Sequence, residues 1–178
     1  MTKDEREKLR VESGMLRLLD IEASVTDVFV RKTGGRTEET GILVRKDGTR
    51  LSYRMRRRAG ELPSMRPVLL LTEGLDDNEA EARAQSYLGM WRTVMSASLR
   101  EEDGTPQSLA RRAEDALALA RLLSHRNAGK TVEVYAHGGA VAAAALMMAV
   151  ERPYFSILTA EDLPPHRKGW PGWEEMAR

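Results

Sequence analysis

The apolar positions of this chain change period several times, and the changes divide it into elements. Residues 3–19 mix charges with Leu9, Val11, Met15, Leu16, Leu18 and Leu19, which predicts a short helix broken near Ser13-Gly14. Residues 21–32 read as a strand that stops at Gly34-Gly35. The segment GILVRKDGTRLSYRMRRR then places two β-type runs on either side of Asp47-Gly48, a short-range hairpin signal. In its second run Leu51, Tyr53 and Met55 alternate with Ser52, Arg54 and Arg56, the period of a half-buried strand. Residues 59–67 read as a loop, and Val68-Leu69-Leu70-Leu71 as a strand buried on both faces of a parallel sheet.

Beyond Glu73-Gly74, any of Asp76, Asp77 or Asn78 can cap a helix that runs to about Leu88. A strand over 92–98 and a polar loop over 99–106 follow. Leu109, Ala113, Ala116, Ala120 and Leu123 recur at three and four residues and predict a helix over 107–124, stopped by Asn127-Ala128-Gly129. A strand at 131–136, a helix at 139–151 and a strand at 154–159 complete the series. The tail carries Trp170 and Trp173.

An antiparallel hairpin followed by strands alternating with helices implies an α/β fold. The expectation is a three-layer sandwich with a mostly parallel sheet, right-handed crossovers and an N-terminal antiparallel hairpin. The 178 residues read as a single domain: an extension at 1–35, a core at 40–163 and a tail at 164–178. Composition supports this, because 42% hydrophobic residues suffice for a core in a chain of this length. A net charge of +1 gives no global field for nucleic acid or a membrane surface. The lack of cysteine excludes disulfides, thiolate metal sites and Cys nucleophiles. The charged start, MTKDEREKLRVESG, is unlike a secretory signal, and no apolar run reaches the ~20 residues of a membrane span. The expected location is cytoplasmic.

The chemistry concentrates in VEVYAHGGAVAAAALMMA, residues 132–149. A β-branched run enters a turn of small residues and leaves as an alanine-rich helix, the layout of a nucleophile elbow. DGTRLSYR, RPVLLLTEG, the capped helix and this elbow together resemble the opening of an α/β-hydrolase. They are most similar to the serine-aminopeptidase-like branch that includes lysophospholipases and monoacylglycerol lipases, and the resemblance spans about residues 40–163. That branch carries a D-G-x-x-L-x-Y hairpin and a G-H-S-x-G-G elbow. Here Ala136-His137 runs directly into Gly138-Gly139-Ala140-Val141, as if the Ser and its neighbour were deleted. Gly138 stands where the resemblance implies a nucleophile, and glycine has no side chain to attack with. Thr72-Glu73-Gly74 replaces the oxyanion-loop pair and puts a carboxylate where negative charge would have to be stabilised. SLREEDGTPQS keeps only Arg100 and Gly104 of the family's Arg-Gly turn. Glu151-Arg152-Pro153 and one strand follow the elbow helix, while the family's acid and histidine lie on later strands.

Several constellations could still carry function. His137 is a candidate general base, with Glu73 or Asp162 as its carboxylate; the plainer reading is a turn histidine satisfied by backbone. Gly74, Gly138 and Gly139 are candidate ligand-binding positions through exposed N–H groups, against a simple tight turn. Ser96, Ser98 and Ser156 offer hydroxyls, though none at an elbow. Glu73-Gly74 with Asp76-Asp77 also resembles the first motif of Toprim domains. No Asp-x-Asp follows at a strand end, so the cluster reads as a helix N-terminus, with no metal and no cofactor expected. Lys46, Arg50, Arg54, Arg56, Arg57 and Arg58 form a basic hairpin face, read mainly as solvated edge protection.

Three functional readings result. The leading one is a non-catalytic, truncated hydrolase-like protein, a binding or assembly module that forms a homo-oligomer or meets a partner protein through its sheet edge, with a small-molecule ligand possible. The second is an esterase or lipase relative that uses a non-standard site around His137. The third is a nucleic-acid or phosphate-ligand binder using the basic face, disfavoured because no aromatics interleave with the cations.

Overall fold

The computed structural model describes residues 1–59, 65–151 and 155–161. Asp162, Trp170 and Trp173 lie outside the described residues.

The helix α1 (Lys3–Ser13) starts at Thr2, whose hydroxyl accepts from the Glu5 N–H while the Glu5 carboxylate accepts from the Thr2 N–H. It ends where Gly14 turns left-handed, φ 74°, and a 3₁₀ turn, Leu18–Asp20, leads into the sheet. Strands β1 (Ala23–Thr33) and β2 (Arg36–Arg45) pair antiparallel across Gly34-Gly35, both at positive φ. Only residues that tolerate that conformation close so short a turn. Strand β3 (Arg50–Arg58) returns along β2 after Asp47-Gly48. The Gly34-Gly35 break thus joins the first strand to the same antiparallel meander.

Strand β4 (Val68–Leu71) leads to α2 (Asp77–Gly89), β5 (Val94–Ala97), α3 (Pro106–Arg126), β6 (Val132–His137), α4 (Ala140–Val150) and β7 (Phe155–Glu161). The seven strands form one sheet in the order β1-β2-β3-β5-β4-β6-β7. β3 meets β5 antiparallel, while β5, β4, β6 and β7 run parallel. All four residues of β4 are fully buried. Leu69 and Leu71, with Met95, Val134 and Ala136, pack into the core that holds α1, α3 and α4. Val68 and Leu70, with Val94 and Tyr135, pack against Ala84 and Leu88 of α2. The chain reaches α2 from β4 on one face and reaches α3 and α4 on the other. Among the described residues no helix is long and apolar enough to cross a membrane.

Helix α3 is buried continuously from 112 to 120, charged positions included. Asp115, fully buried, accepts from Arg45 Nη1 at 2.7 Å and from Arg100 Nε and Nη2 at 2.7 Å each. Glu114 accepts from Arg45 Nη2 at 3.0 Å and from the Leu16 N–H at 2.8 Å. These contacts tie β2, the loop after β5 and the end of α1 to one helix.

Candidate functional site

Ligands of open α/β sheets bind at the carboxyl ends of the strands, where successive connections leave toward opposite faces. β4 is such a place on both flanks: its own connection runs to α2, while those of β5 and β6 run to α3 and α4 on the other side. Thr72-Glu73-Gly74 follows β4, Ser98-Leu99-Arg100 follows β5, and Gly138-Gly139 follows His137 at the end of β6.

Between β4 and β6 the structure gathers Glu73, Gly74, His137, Gly138 and Gly139. His137 Nδ1 lies 3.1 Å from the Glu73 main-chain oxygen. A carbonyl only accepts, so Nδ1 carries the proton and Nε2 is the unprotonated nitrogen of the neutral ring. Nε2 has no partner among the described residues. The Glu73 carboxylate does not reach the imidazole. It pairs with Nη2 of Arg112, a side chain only 2% exposed. Arg112 Nη1 in turn donates to the Arg100 carbonyl at 2.8 Å. For Glu73, one of the two carboxylates expected to couple with His137, the structure shows two separate contacts instead: imidazole to backbone, and carboxylate to guanidinium.

The glycines let these groups close in. Gly74 has φ 80°, and a Cβ there would lie 3.2 Å from His137 Nδ1. Gly138 has φ 55°, with a Cβ 3.4 Å from the Glu73 carbonyl oxygen. Its N–H donates to the Glu161 carbonyl at 3.1 Å. A Cβ on Gly139 would come within 2.8 Å of Glu73 Oε1, closer than carbon and oxygen pack. Gly139 caps α4, so the Glu73 carboxylate lies at that helix's N-terminal turn, where the helix dipole favours an anion.

Asp162 is outside the described residues; its neighbour Glu161 is the described acid there. Glu161 accepts from the Tyr135 hydroxyl at 2.7 Å and from Arg83 Nη2 at 2.8 Å, and the Arg83 guanidinium lies 4.6 Å from the Tyr135 ring centre. Burial, then the bond to Glu161, pushes the Tyr135 phenol up to about 12. Sequence reasoning missed Arg112. Its signal was present: Leu109, Arg112 and Ala116 follow at three and four residues, placing a cation on the buried stripe of α3.

The basic face is largely neutralised within the chain. Arg54 donates to Glu38 at 2.8 Å, Arg56 to Glu81 at 2.7 Å, Arg50 to Asp27 at 3.1 Å and Lys46 to Glu22 at 2.8 Å. Arg58 lies over the Trp91 ring, 3.9 Å from its centre. Among the described residues no three His, Asp or Glu side chains converge to hold a metal ion.

No family model matches the sequence, and no curated protein matches it. Solved structures match by shape. A cold-adapted esterase from an Arctic intertidal metagenomic library superposes with a TM-score of 0.58 at 16% identity, over 77% of this chain and 63% of the esterase. The acetyl xylan esterase from Paenibacillus sp. R4 gives 0.59 at 12% identity, over 88% and 57%. The methylesterase BT1017 gives 0.60 at 13% identity, over 88% and 39%. The chain spans less than two thirds of the length of each. At these identities the likeness is one of fold, and the fold is α/β-hydrolase-like.

Proposed function

We propose that this chain is a non-catalytic α/β-hydrolase-like protein that serves as a binding or assembly module. The observation that carries the reading is the Glu73 carboxylate, held by Arg112 against the first turn of α4. Ester hydrolysis at an elbow needs a nucleophile and donors aimed at a developing oxyanion. Here Gly138 takes the nucleophile's place and a carboxylate stands beside the donors. An oxyanion forming there would have to compete with the Glu73 carboxylate for the helix donors and for Arg112.

The hairpin DGTRLSYR and the small-residue elbow support descent from the serine-aminopeptidase-like, lysophospholipase-containing branch. Core packing on both sheet faces supports a three-layer sandwich in one domain over 1–178. Assembly would use a sheet edge, as a cytoplasmic homo-oligomer or with a partner protein. β1 is one edge of the sheet, and it exposes Val28, Phe29 and Val30.

A solution mass and an esterase assay test this reading. The expected results are an oligomer and no turnover of p-nitrophenyl acetate or butyrate. One observation favours a second reading, an esterase relative using a site around His137: the unpartnered Nε2 is free to take a proton from water. Ester turnover that vanishes in His137→Ala would establish that reading and sink the first.

A further inference from the structure

Glu73, Arg112 and His137 meet on the β6 flank of β4, and an open crevice lies on its other flank. It is a shallow, solvent-open depression of about 450 Å³ that runs from the ends of β4 and β5 across the face of β3 and β2. Five hydroxyls line it: Thr72 after β4, Ser96 on β5, Ser98 beyond it, Ser52 on β3 and Thr40 on β2. The register brings them together, since Thr40 opposes Arg54, Arg54 opposes Ser96, and Ile42 opposes Ser52. None of the five hydroxyls has a hydrogen-bond partner among the described residues. All are half-buried or exposed, so each is within reach of a ligand.

The charges beside the cavity are already committed. Arg54, the guanidinium that lines it, is bonded to Glu38 at 2.8 Å. Asp27, the carboxylate that lines it, accepts from Arg50 at 3.1 Å. A phosphate or carboxylate ligand would lack a free cation, and an amine would lack a free anion. What remains is a set of groups that both donate and accept, with Ile42 as an apolar patch beside them.

We propose that this β4/β5 crevice is a binding site for a neutral polyhydroxylated small molecule such as a monosaccharide or polyol. The proposal deepens the binding-module reading and rests on it. Each ligand hydroxyl can exchange a donor and an acceptor contact with the wall, which an ion or an apolar ligand cannot do. The Tyr53 ring is buried and its hydroxyl is bonded to Glu39 at 2.7 Å, so no aromatic ring is presented for stacking. Affinity in the millimolar range follows, on the order of 1–10 mM.

The test is a titration of the full-length, ¹⁵N-labelled protein with D-glucose up to about 100 mM, followed by amide shifts. Saturable shifts at Thr40, Ser52, Ser96 and Ser98, weakened about tenfold or more in Ser52→Leu and in Ser96→Leu, support the site. Ser52 is exposed, so Ser52→Leu decides the matter where Ser96→Leu fails to fold. No saturable shift, shifts mapping elsewhere, or an equal response to sodium phosphate would each overturn the proposal. Ester turnover by the same sample would overturn the non-catalytic reading independently of the glucose result. A silent glucose titration without turnover overturns this inference alone.

Discussion

Arg112 reaches from the buried face of α3 to hold the carboxylate of Glu73 at the first turn of α4. The pair joins the loop after β4 to a helix from the opposite layer. It sets the character of the elbow, because the position suited to an external anion is taken by one of the chain's own. The two partners are unequal: Arg112 is 2% exposed and Glu73 36%.

That inequality predicts an asymmetric response to mutation. Glu73→Ala strands a buried guanidinium, which costs about 3 kcal/mol. Arg112→Met leaves a carboxylate that water can still reach, and costs less, about 1–2 kcal/mol. Urea unfolding of both variants and of the double variant measures the difference. Equal costs would overturn the asymmetry, and a double variant whose loss is the plain sum would show that the pair is not coupled.

Gly139→Ala probes the same contact from the helix side. Gly139 has a helical φ of −61°, so alanine fits the backbone and would stabilise by about 0.5 kcal/mol on entropy alone. Its Cβ, however, would sit 2.8 Å from Glu73 Oε1. The carboxylate must swing away, and Arg112 loses part of its partner. The expected outcome is a net destabilisation of about 1 kcal/mol in the native background. In the Glu73→Ala background the sign reverses to a small gain. A gain in both backgrounds would mean that the carboxylate moves without cost.

Local signals made much of this fold legible. The apolar β4, the α3 stripe and the glycine-bounded turns at Gly34-Gly35 and Asp47-Gly48 all report on neighbours within a few residues. Asp76 rather than Asp77 or Asn78 caps α2, accepting from the Glu79 N–H while Glu79 accepts from the Asp76 N–H; the box needs a Glu three residues on, which Asp76 and Asn78 both have, but the second of these, Glu81, is bonded to Arg56. The gathering of Glu73 with His137 and Gly138 followed from strand order and the switch point. The Glu73–Arg112 pair did not, because 39 residues separate its members and periodicity describes one element at a time. For the same reason the joining of β1 to β2 in one meander, and Asp115 between two arginines, emerged only with the tertiary arrangement.

Asp115 is the stiffest test of the buried network. It is fully buried and receives Arg45 and Arg100 together, and Arg45 Nε already lacks a partner. Asp115→Ala removes the carboxylate that the two guanidiniums share, leaving Arg45 only Glu114 and Arg100 only Asp47, and is expected to cost about 3 kcal/mol or to prevent folding. Thermal unfolding monitored by circular dichroism reads the loss. Asp115→Asn keeps the size but not the charge, and should recover little of it. Near-native stability of the Asn variant would mean that packing, not charge, makes Asp115 matter.

The two buried phenols predict an alkaline limit to stability. Burial, then the carboxylate of Glu39, pushes Tyr53 up to about 12, as burial and Glu161 do for Tyr135. A tyrosine in the unfolded chain titrates near 10. The folded chain therefore holds these protons longer than the unfolded chain. Their contribution is complete below about pH 10 and is lost as pH rises from there through 12. Each tyrosine adds at most about 1.4 kcal/mol per pH unit to the downward slope. Tyr135→Phe removes one of the two, so its stability should fall less steeply than the native protein's across pH 10–12, with the curves parallel below pH 9. Tyrosinate absorbance should likewise show one late-titrating phenol fewer in the variant. Parallel curves throughout would mean that the Tyr135 hydroxyl ionises as freely in the folded chain as in the unfolded one.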